Sequence, residues 1–157
     1  MAKKKYLFFI FLLVFLFFIV MFSKKNNIVG DKVCFNDYCF LVEIADDSSE
    51  RSKGLMEREN LDLDKGMLFI FDRESKHYFW MKNTLIPLDM IWINSDKEVV
   101  HIERNVQPCQ ADPCPSYGPD KEAKYVLEIN AGQSAQANIQ INDKLSFDNI
   151  SWDAKIR

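Results

Sequence analysis

The 157-residue chain lacks the catalytic motifs that local sequence can reveal. It contains no G-x-S-x-G nucleophile elbow, no H-E-x-x-H zinc helix, no Walker A phosphate loop and no dinucleotide-binding fingerprint. Histidine is scarce, since only His77 and His101 are present, and no segment repeats with a period of about 20–50 residues. The missing motifs favour a protein without catalytic activity, and the missing period excludes a repeat fold.

Basic residues are too few outside the first 25 positions for a general nucleic-acid-binding protein. Those 25 positions hold five lysines and no acidic residue, whereas the rest of the chain holds 15 basic and 23 acidic residues. Nucleic-acid binding requires a basic face, so we expect no nucleic-acid partner. The apolar fraction of 48% excludes a wholly disordered chain.

One long apolar run is present, and it covers the 17 residues from 6 to 22. As a helix it would be about 25 Å long, against a hydrocarbon core of roughly 30 Å. No small-x-small cleavage site follows Phe22, and no cysteine lies close enough for a lipoprotein signal. The sequence therefore predicts an uncleaved transmembrane anchor over residues 1–23, a linker over 24–31 and a β domain over 32–157.

The lysines around this run predict its orientation. Three lysines and the terminal amine precede the run, whereas only Lys24 and Lys25 follow it. The positive-inside rule then places the amino terminus in the cytoplasm and the β domain outside. We expect a single-pass protein of the cell membrane.

Four cysteines form two C-x4-C pairs, Cys34 with Cys39 and Cys109 with Cys114. An even number of cysteines outside the cytoplasm indicates disulfides, although four cysteines allow three pairings. A hairpin around Asn36-Asp37 would set Cys34 opposite Cys39, within disulfide range. The second pair lies in a proline-rich loop, where a local disulfide would stiffen a segment that lacks strand-to-strand hydrogen bonds. The alternatives are a four-thiolate metal site and free thiols.

The rest of the chain alternates short apolar segments with turn residues. Strands are predicted at 39–45, 66–71, 77–83, 88–93, 98–103, 125–129 and 144–147. Asp47 followed by Glu50 predicts a capped helix that ends near residue 57 or 58, and a second short helix is expected within 131–138. Short antiparallel strands with frequent turns predict a mainly β sandwich or barrel with one or two short helices.

Four stretches in this order resemble one known prokaryotic family, the domain of unknown function 192. They are RSKGLMER at 51–58, GMLFIF at 66–71, FWMKNT at 79–84 with PLD at 87–89, and VLEI at 126–129 before Ala131-Gly132. The similarity covers about residues 40–147. It implies one compact, mainly β domain with a jelly-roll-like sandwich, often behind an export signal or anchor, and it implies no activity. One departure is Asn142-Asp143, where the family usually has Gly-Asp.

The densest polar group in these stretches is Lys82, Asn83, Thr84 and Asp89. One interpretation is a binding site at a strand end, with Lys82 and Asp89 as polar groups and Trp80 or Tyr117 as an apolar wall. The other is a structural Lys–Asp pair beside an Asn-Thr turn. The candidate ligand-binding residues are therefore Trp80, Lys82, Asn83, Asp89 and Tyr117.

Two further groups have both a structural and a functional interpretation. Arg51 and Arg58 are seven residues apart on the predicted helix, so they form either an anion site or ion pairs with acids such as Asp47, Glu50 and Glu57. Met56, Met67, Met81 and Met90 could join a histidine in a copper site, or fill gaps in the core. Core packing is the favoured interpretation, and no cofactor is predicted.

Three functional hypotheses follow from the sequence. The favoured one is a membrane-anchored extracytoplasmic binding module that contacts the membrane through its anchor and takes an unidentified envelope ligand. The second is an enzyme acting on an envelope component, with a polar site around Lys82 and Asp89. The third is a metal or redox protein that uses Cys, His and Met side chains.

Overall fold

The computed structural model describes residues 30–150, and the predicted anchor at 1–23 lies outside that range. Within the described range, neither helix has the length and apolar character needed to span a bilayer. The described elements are β1 (Lys32–Phe35), β2 (Tyr38–Ala45), α1 (Ser48–Lys53), β3 (Lys65–Ser75), β4 (Phe79–Trp80), β5 (Leu88–Ile93), β6 (Val99–Val106), β7 (Ser116–Tyr117), β8 (Ala123–Asn130), α2 (Gln133–Gln136) and β9 (Leu145–Asp148).

Seven of these strands form one sheet in the order β6-β5-β8-β3-β2-β1-β9. Neighbouring strands are antiparallel except β2 and β3, which run parallel with Val42 opposite Gly66. The prediction of a wholly antiparallel sheet is wrong at this pair. A parallel pair needs a long crossover, and residues 46–64, including α1, supply it.

The sheet curls until its two outer strands meet. Glu98, just before β6, bridges Lys144, just before β9. The Val99 amide donates to the Asp143 carbonyl at 2.9 Å, and the Leu145 amide donates to the Lys97 carbonyl at 3.0 Å. The fold is therefore mainly β with two short helices, as predicted, but it is a curled half-barrel rather than two packed sheets.

Apolar side chains pack on both faces of the sheet because the strands are apolar at successive positions. On β3, Leu68 and Ile70 face the inside of the curl, whereas Met67 and Phe69 face outward. All seven strands contribute to the inner layer. The outer layer lies mainly on β3, β5 and β8, with one buried residue each from β2 and β6, and is covered by side chains from the connecting segments, including Leu55, Met81 and Ile86.

The outer layer also accounts for most of the methionines considered above. Met67, Met81 and Met90 are buried in it, and Met56 is half-buried nearby. Within residues 30–150, no group of three or more His, Cys, Asp or Glu side chains is arranged to hold a metal ion.

Both predicted disulfides are confirmed. Cys34 and Cys39 face each other across the β1–β2 hairpin with a Cα–Cα distance of 4.0 Å. Cys109 and Cys114 are joined with a Cα–Cα distance of 5.6 Å. Each bridge is local, so each holds one turn or loop in place.

The helix α1 begins as predicted but ends earlier. The Asp47 carboxylate accepts hydrogen bonds from the amides of Ser49 and Glu50, both at 2.8 Å, and Glu50 completes the capping box. The helix stops at Gly54, whose φ of 48° suits glycine. Arg51 and Arg58 consequently do not share a helix face, and the predicted pairing of these two arginines on one surface is wrong.

The predicted strand at 77–83 is reduced to the two residues Phe79 and Trp80. They pair with Ser116 and Tyr117 in a separate two-stranded sheet. This small sheet joins the segment after β3 to the disulfide loop, and its position determines where Trp80 lies.

Candidate functional site

Asp89 is fully buried on β5, and its carboxylate is bound by the protein itself. One oxygen accepts from the Asn105 amide at 2.8 Å. The other accepts from the Gly132 amide at 3.0 Å, the Ser134 amide at 2.9 Å and the Ser134 hydroxyl at 2.6 Å. These four bonds tie β5 to β6 and to the start of α2. Asp89 therefore has a structural role.

Lys82 has different partners. Its ammonium lies 3.5 Å from an Asp112 carboxylate oxygen and 5.6 Å from the centre of the Trp80 ring. The Lys82–Asp89 pair considered from the sequence is not formed, because Asp89 is occupied by backbone amides. Lys82 instead connects Trp80 to the loop that is closed by the second disulfide.

The other three predicted site residues are divided between surface and core. Asn83 is exposed in a turn with a φ of 55°, and its carbonyl accepts from the Glu57 amide at 2.8 Å. Tyr117 packs, half-buried, against the outer apolar layer. Trp80 is 53% exposed. Of the predicted residues, Trp80 and Lys82 remain together on an accessible surface.

Trp80 borders a groove between α1 and the segment 77–80, with a volume of about 390 Å³. Small-molecule sites commonly have volumes of about 300–1,000 Å³. Tyr78, which the sequence did not single out, is 62% exposed beside Trp80. The residues that line the groove are Ser48, Arg51, Ser52, Phe71, His77, Tyr78, Phe79 and Trp80.

Arg51 and His77 both contact the Phe71 ring. The His77 ring stacks on Phe71 with centroids 3.5 Å apart, and the guanidinium carbon of Arg51 lies 5.3 Å from the centre of the Phe71 ring. One terminal nitrogen of Arg51 donates to the carbonyls of Asp46 and Ile70. Burial, together with the charge of Arg51, lowers the pKa of His77 from its usual value.

A second cavity of about 30 Å³ adjoins the groove, and the two share Arg51, Ser52, Phe79 and Trp80 in their walls. Glu128 lines this inner cavity. Its side chain is on the outer face of β8, in register with Met67 and Met90 on the neighbouring strands, and the residue is only 5% exposed.

Burial raises the pKa of Glu128 from 4.5 to about 8. The carboxyl group is therefore mostly protonated at pH 7, and it can donate a hydrogen bond as well as accept one. No hydrogen bond from residues 30–150 reaches it, and its oxygens keep access to the cavity. Sequence reasoning missed Glu128, although a lone acidic residue inside an apolar strand is a usable signal.

Arg58, the second predicted anion ligand, is not part of the groove. Its guanidinium forms a bidentate pair with Glu43 on β2, with nitrogen–oxygen distances of 2.5 and 2.6 Å. The hydrogen bonds from Arg58 lower the pKa of Glu43. His101 also lies elsewhere, with a ring nitrogen 3.0 Å from a Glu103 carboxylate oxygen.

All four stretches that carry the family resemblance meet at these two cavities. The first stretch contributes residues such as Arg51 and Leu55 and the second contributes Phe69 and Phe71. The third contributes Phe79 and Trp80, and the fourth contributes Glu128. The pocket is therefore the place where segments distant in sequence are assembled by the curled sheet.

Comparison with known proteins places the chain among relatives of the same fold. It is 31% identical over 112 residues to a UPF0127 protein of Thermococcus sibiricus, a match that covers 68% of this chain and 66% of the relative. A solved structure from Novosphingobium aromaticivorans, described as a protein of unknown function, superposes with a TM-score of 0.67. It is 34% identical, and the match covers 75% of this chain and 84% of that one.

A solved structure from Sinorhizobium meliloti, provisionally described as a transcription regulator, gives a TM-score of 0.66 at 33% identity. The match covers 74% of this chain and 91% of that one. The family model for domain of unknown function 192, described as uncharacterized ACR, matches residues 32–147. The chain therefore belongs to the DUF192 family, whose relatives also carry the name UPF0127.

Proposed function

We propose that this protein is a ligand-binding module, that its site is the groove between α1 and residues 77–80, and that its ligands are saccharides of the cell envelope. The carrying observation is a groove of about 390 Å³ flanked by two exposed aromatic rings, Tyr78 and Trp80. In this proposal residues 1–23 anchor the protein in the membrane and hold the β domain outside.

The chemistry of the groove supports a sugar as ligand. Exposed Trp and Tyr side chains present an apolar face with a polar edge, which suits a ring that is apolar on one face and polar around its rim. The rim hydroxyls can bond to Arg51, His77 and the serine hydroxyls of α1. Asp112 offsets the charge of Lys82 beside Trp80, and the Arg51 guanidinium in the groove wall donates to backbone carbonyls.

Nucleic acid is not part of this proposal. The chain after residue 25 has eight more acidic than basic residues, and such a balance opposes phosphate binding. The description of the Sinorhizobium meliloti structure therefore suggests no function for this chain.

An enzyme built on Lys82 and Asp89 has less support. The Asp89 carboxylate already accepts four hydrogen bonds from the protein and is fully buried. A general acid or base must reach the substrate directly or through one water, and Asp89 is enclosed by the elements that it joins.

The test is sugar binding to the full chain in phospholipid nanodiscs, measured by calorimetry with a panel of neutral and N-acetylated monosaccharides. Trp80→Ala and Tyr78→Ala should each weaken binding about tenfold or more, because each removes a face of the groove. Ile141→Ala is the matched control, since Ile141 is 51% exposed and does not line the groove. Binding that survives both aromatic substitutions, or no binding to any sugar, would contradict the proposal.

A further inference from the structure

We propose that the inner cavity is a subsite for the acetyl end of an acetamido group, in which the Glu128 side chain donates a hydrogen bond to the amide carbonyl of an N-acetylated sugar. This inference rests on the proposed function, because the sugar ring itself would occupy the outer groove. The acetamido group is the substituent that distinguishes N-acetylated envelope saccharides from those without it.

Glu128 is the polar group that the fold leaves for a ligand at this position. It lies between Met67 and Met90 across the sheet, it is 5% exposed, and no residue in the described range hydrogen-bonds to its carboxyl. Its oxygens open onto the cavity. A ligand group that enters the cavity can therefore supply the hydrogen-bond partner that the described residues do not.

The size of the cavity limits what can enter. A water molecule needs about 10–15 Å³ of such volume and two to four polar partners, whereas this cavity has about 30 Å³. The walls around Glu128 include Leu55, Phe69 and Phe79. The space suits a group of about three heavy atoms that has one polar edge and one apolar end.

The acetyl end of an acetamido group has that composition, since it consists of a carbonyl carbon, a carbonyl oxygen and a methyl group. Its carbonyl oxygen can accept the proton of the Glu128 acid. Because the N–H of a trans amide points away from the carbonyl oxygen, the N–H would remain at the mouth of the cavity. The methyl group can contact the apolar wall. A carboxylate or an ammonium group is disfavoured, because a charge would have to be buried there.

The outer groove and the inner cavity are adjacent. Arg51, Ser52, Phe79 and Trp80 belong to both walls. A ring stacked on Trp80 therefore lies where a substituent on its edge can enter the inner cavity.

Among the described residues that line the cavity, the charged side chains other than Glu128 belong to α1. The helix α1 contributes Arg51 and Lys53 to the cavity wall, whereas β3 and β5 place Met67 and Met90 beside Glu128, and the turn before β5 contributes Thr84. Burial alone accounts for the raised pKa of Glu128. Acetamido binding requires the protonated acid, so affinity should fall as the pH rises above about 8.

The experiment compares N-acetylglucosamine with glucose on the full chain in phospholipid nanodiscs, at pH 6 and at pH 9.5. At pH 6 the N-acetylated sugar should bind about tenfold more tightly than glucose. At pH 9.5 the two affinities should converge. Glu128→Gln should keep the preference at both pH values, because an amide side chain stays neutral and still donates and accepts. Glu128→Leu should lose the preference at both.

Glu122→Gln is the matched control, since Glu122 is exposed immediately before β8 and its substitution should leave both affinities unchanged. Equal affinities for the two sugars at pH 6 would overturn the acetamido subsite and leave the sugar groove standing. A preference that persists at pH 9.5 in the unsubstituted protein would also overturn it. Failure of both sugars to bind would overturn the groove and the subsite together. If the leucine variant does not fold, the glutamine variant and the pH series decide.

Discussion

Glu128 makes the stability of the folded chain depend on pH. Its pKa is about 8 in the folded protein and 4.5 as the reference value, so between these values the folded state retains a proton that the unfolded state loses. The free energy of unfolding should therefore fall as pH rises from 4.5 to about 8, by up to about 5 kcal/mol, and the contribution should be level below and above that window.

Glu128→Gln should remove this slope, because glutamine does not titrate. Urea unfolding at pH 5, 7 and 9 measures how the free energy of unfolding depends on pH. Glu122→Gln is the control and should keep the pH dependence of the unsubstituted protein. Parallel profiles for the unsubstituted protein and Glu128→Gln would mean that Glu128 is ionised in the folded state.

Asp89 stabilises the fold through its four accepted hydrogen bonds. Asp89→Asn replaces one acceptor oxygen by an NH₂ group that faces backbone or hydroxyl donors, and it also removes the charge that strengthens the remaining bonds. We expect a loss of about 3 kcal/mol in the free energy of unfolding. Denaturant titration measures it, with Asp96→Asn in an exposed turn as the control, where a change within about 0.5 kcal/mol is expected. A loss equal to that of the control would refute the structural role.

The sequence identified Asp89 as a candidate site residue, but the partner considered for it, Lys82, is not the one observed. Its partners Asn105, Gly132 and Ser134 are 16, 43 and 45 residues away along the chain. Local spacing makes Lys82 the obvious partner, and only the arrangement of strands shows otherwise. Glu128 was missed for the same reason, since its significance depends on which apolar side chains surround it in space.

Among the elements, the β1–β2 hairpin was the one best predicted. The turn at Asn36, with a φ of 51°, sets the register that brings Cys34 opposite Cys39. This prediction succeeded because the turn, the strands and the bridge all depend on residues close in sequence. The parallel pairing of β2 with β3 could not be predicted in the same way, because nothing local shows that the crossover through α1 returns to β2.

The two disulfides should contribute independently and modestly to stability. Each closes a short loop, so the double variant Cys34→Ala/Cys39→Ala and the double variant Cys109→Ala/Cys114→Ala should each lower the free energy of unfolding by about 2 kcal/mol. Removing all four cysteines should lower the free energy of unfolding by about the sum of the two losses, because the two bridges share no described partners. Denaturant titration under non-reducing conditions measures these losses. A variant that fails to fold after losing one bridge would show that the apolar layers are not sufficient.

For the whole molecule, the proposed anchor gives a separate prediction. Residues 6–22 form an uninterrupted apolar run without a following cleavage site, so the mature protein should keep its amino terminus and resist carbonate extraction from membranes. Amino-terminal sequencing of the membrane fraction measures the first property. A mature chain that starts near residue 24 would instead indicate a cleaved signal.

The two ends of the described domain lie side by side. Lys32 at the start of β1 is in register with Asp148 at the end of β9, and the Asn149 side chain donates to the Gly30 carbonyl at 3.5 Å. The first and last strands of the domain are therefore neighbours, and the packing of the sheet does not require the termini to be at this position. Such a unit can be spliced into a surface loop of another protein, or re-ordered by joining its ends and opening a new terminus elsewhere, without moving a strand.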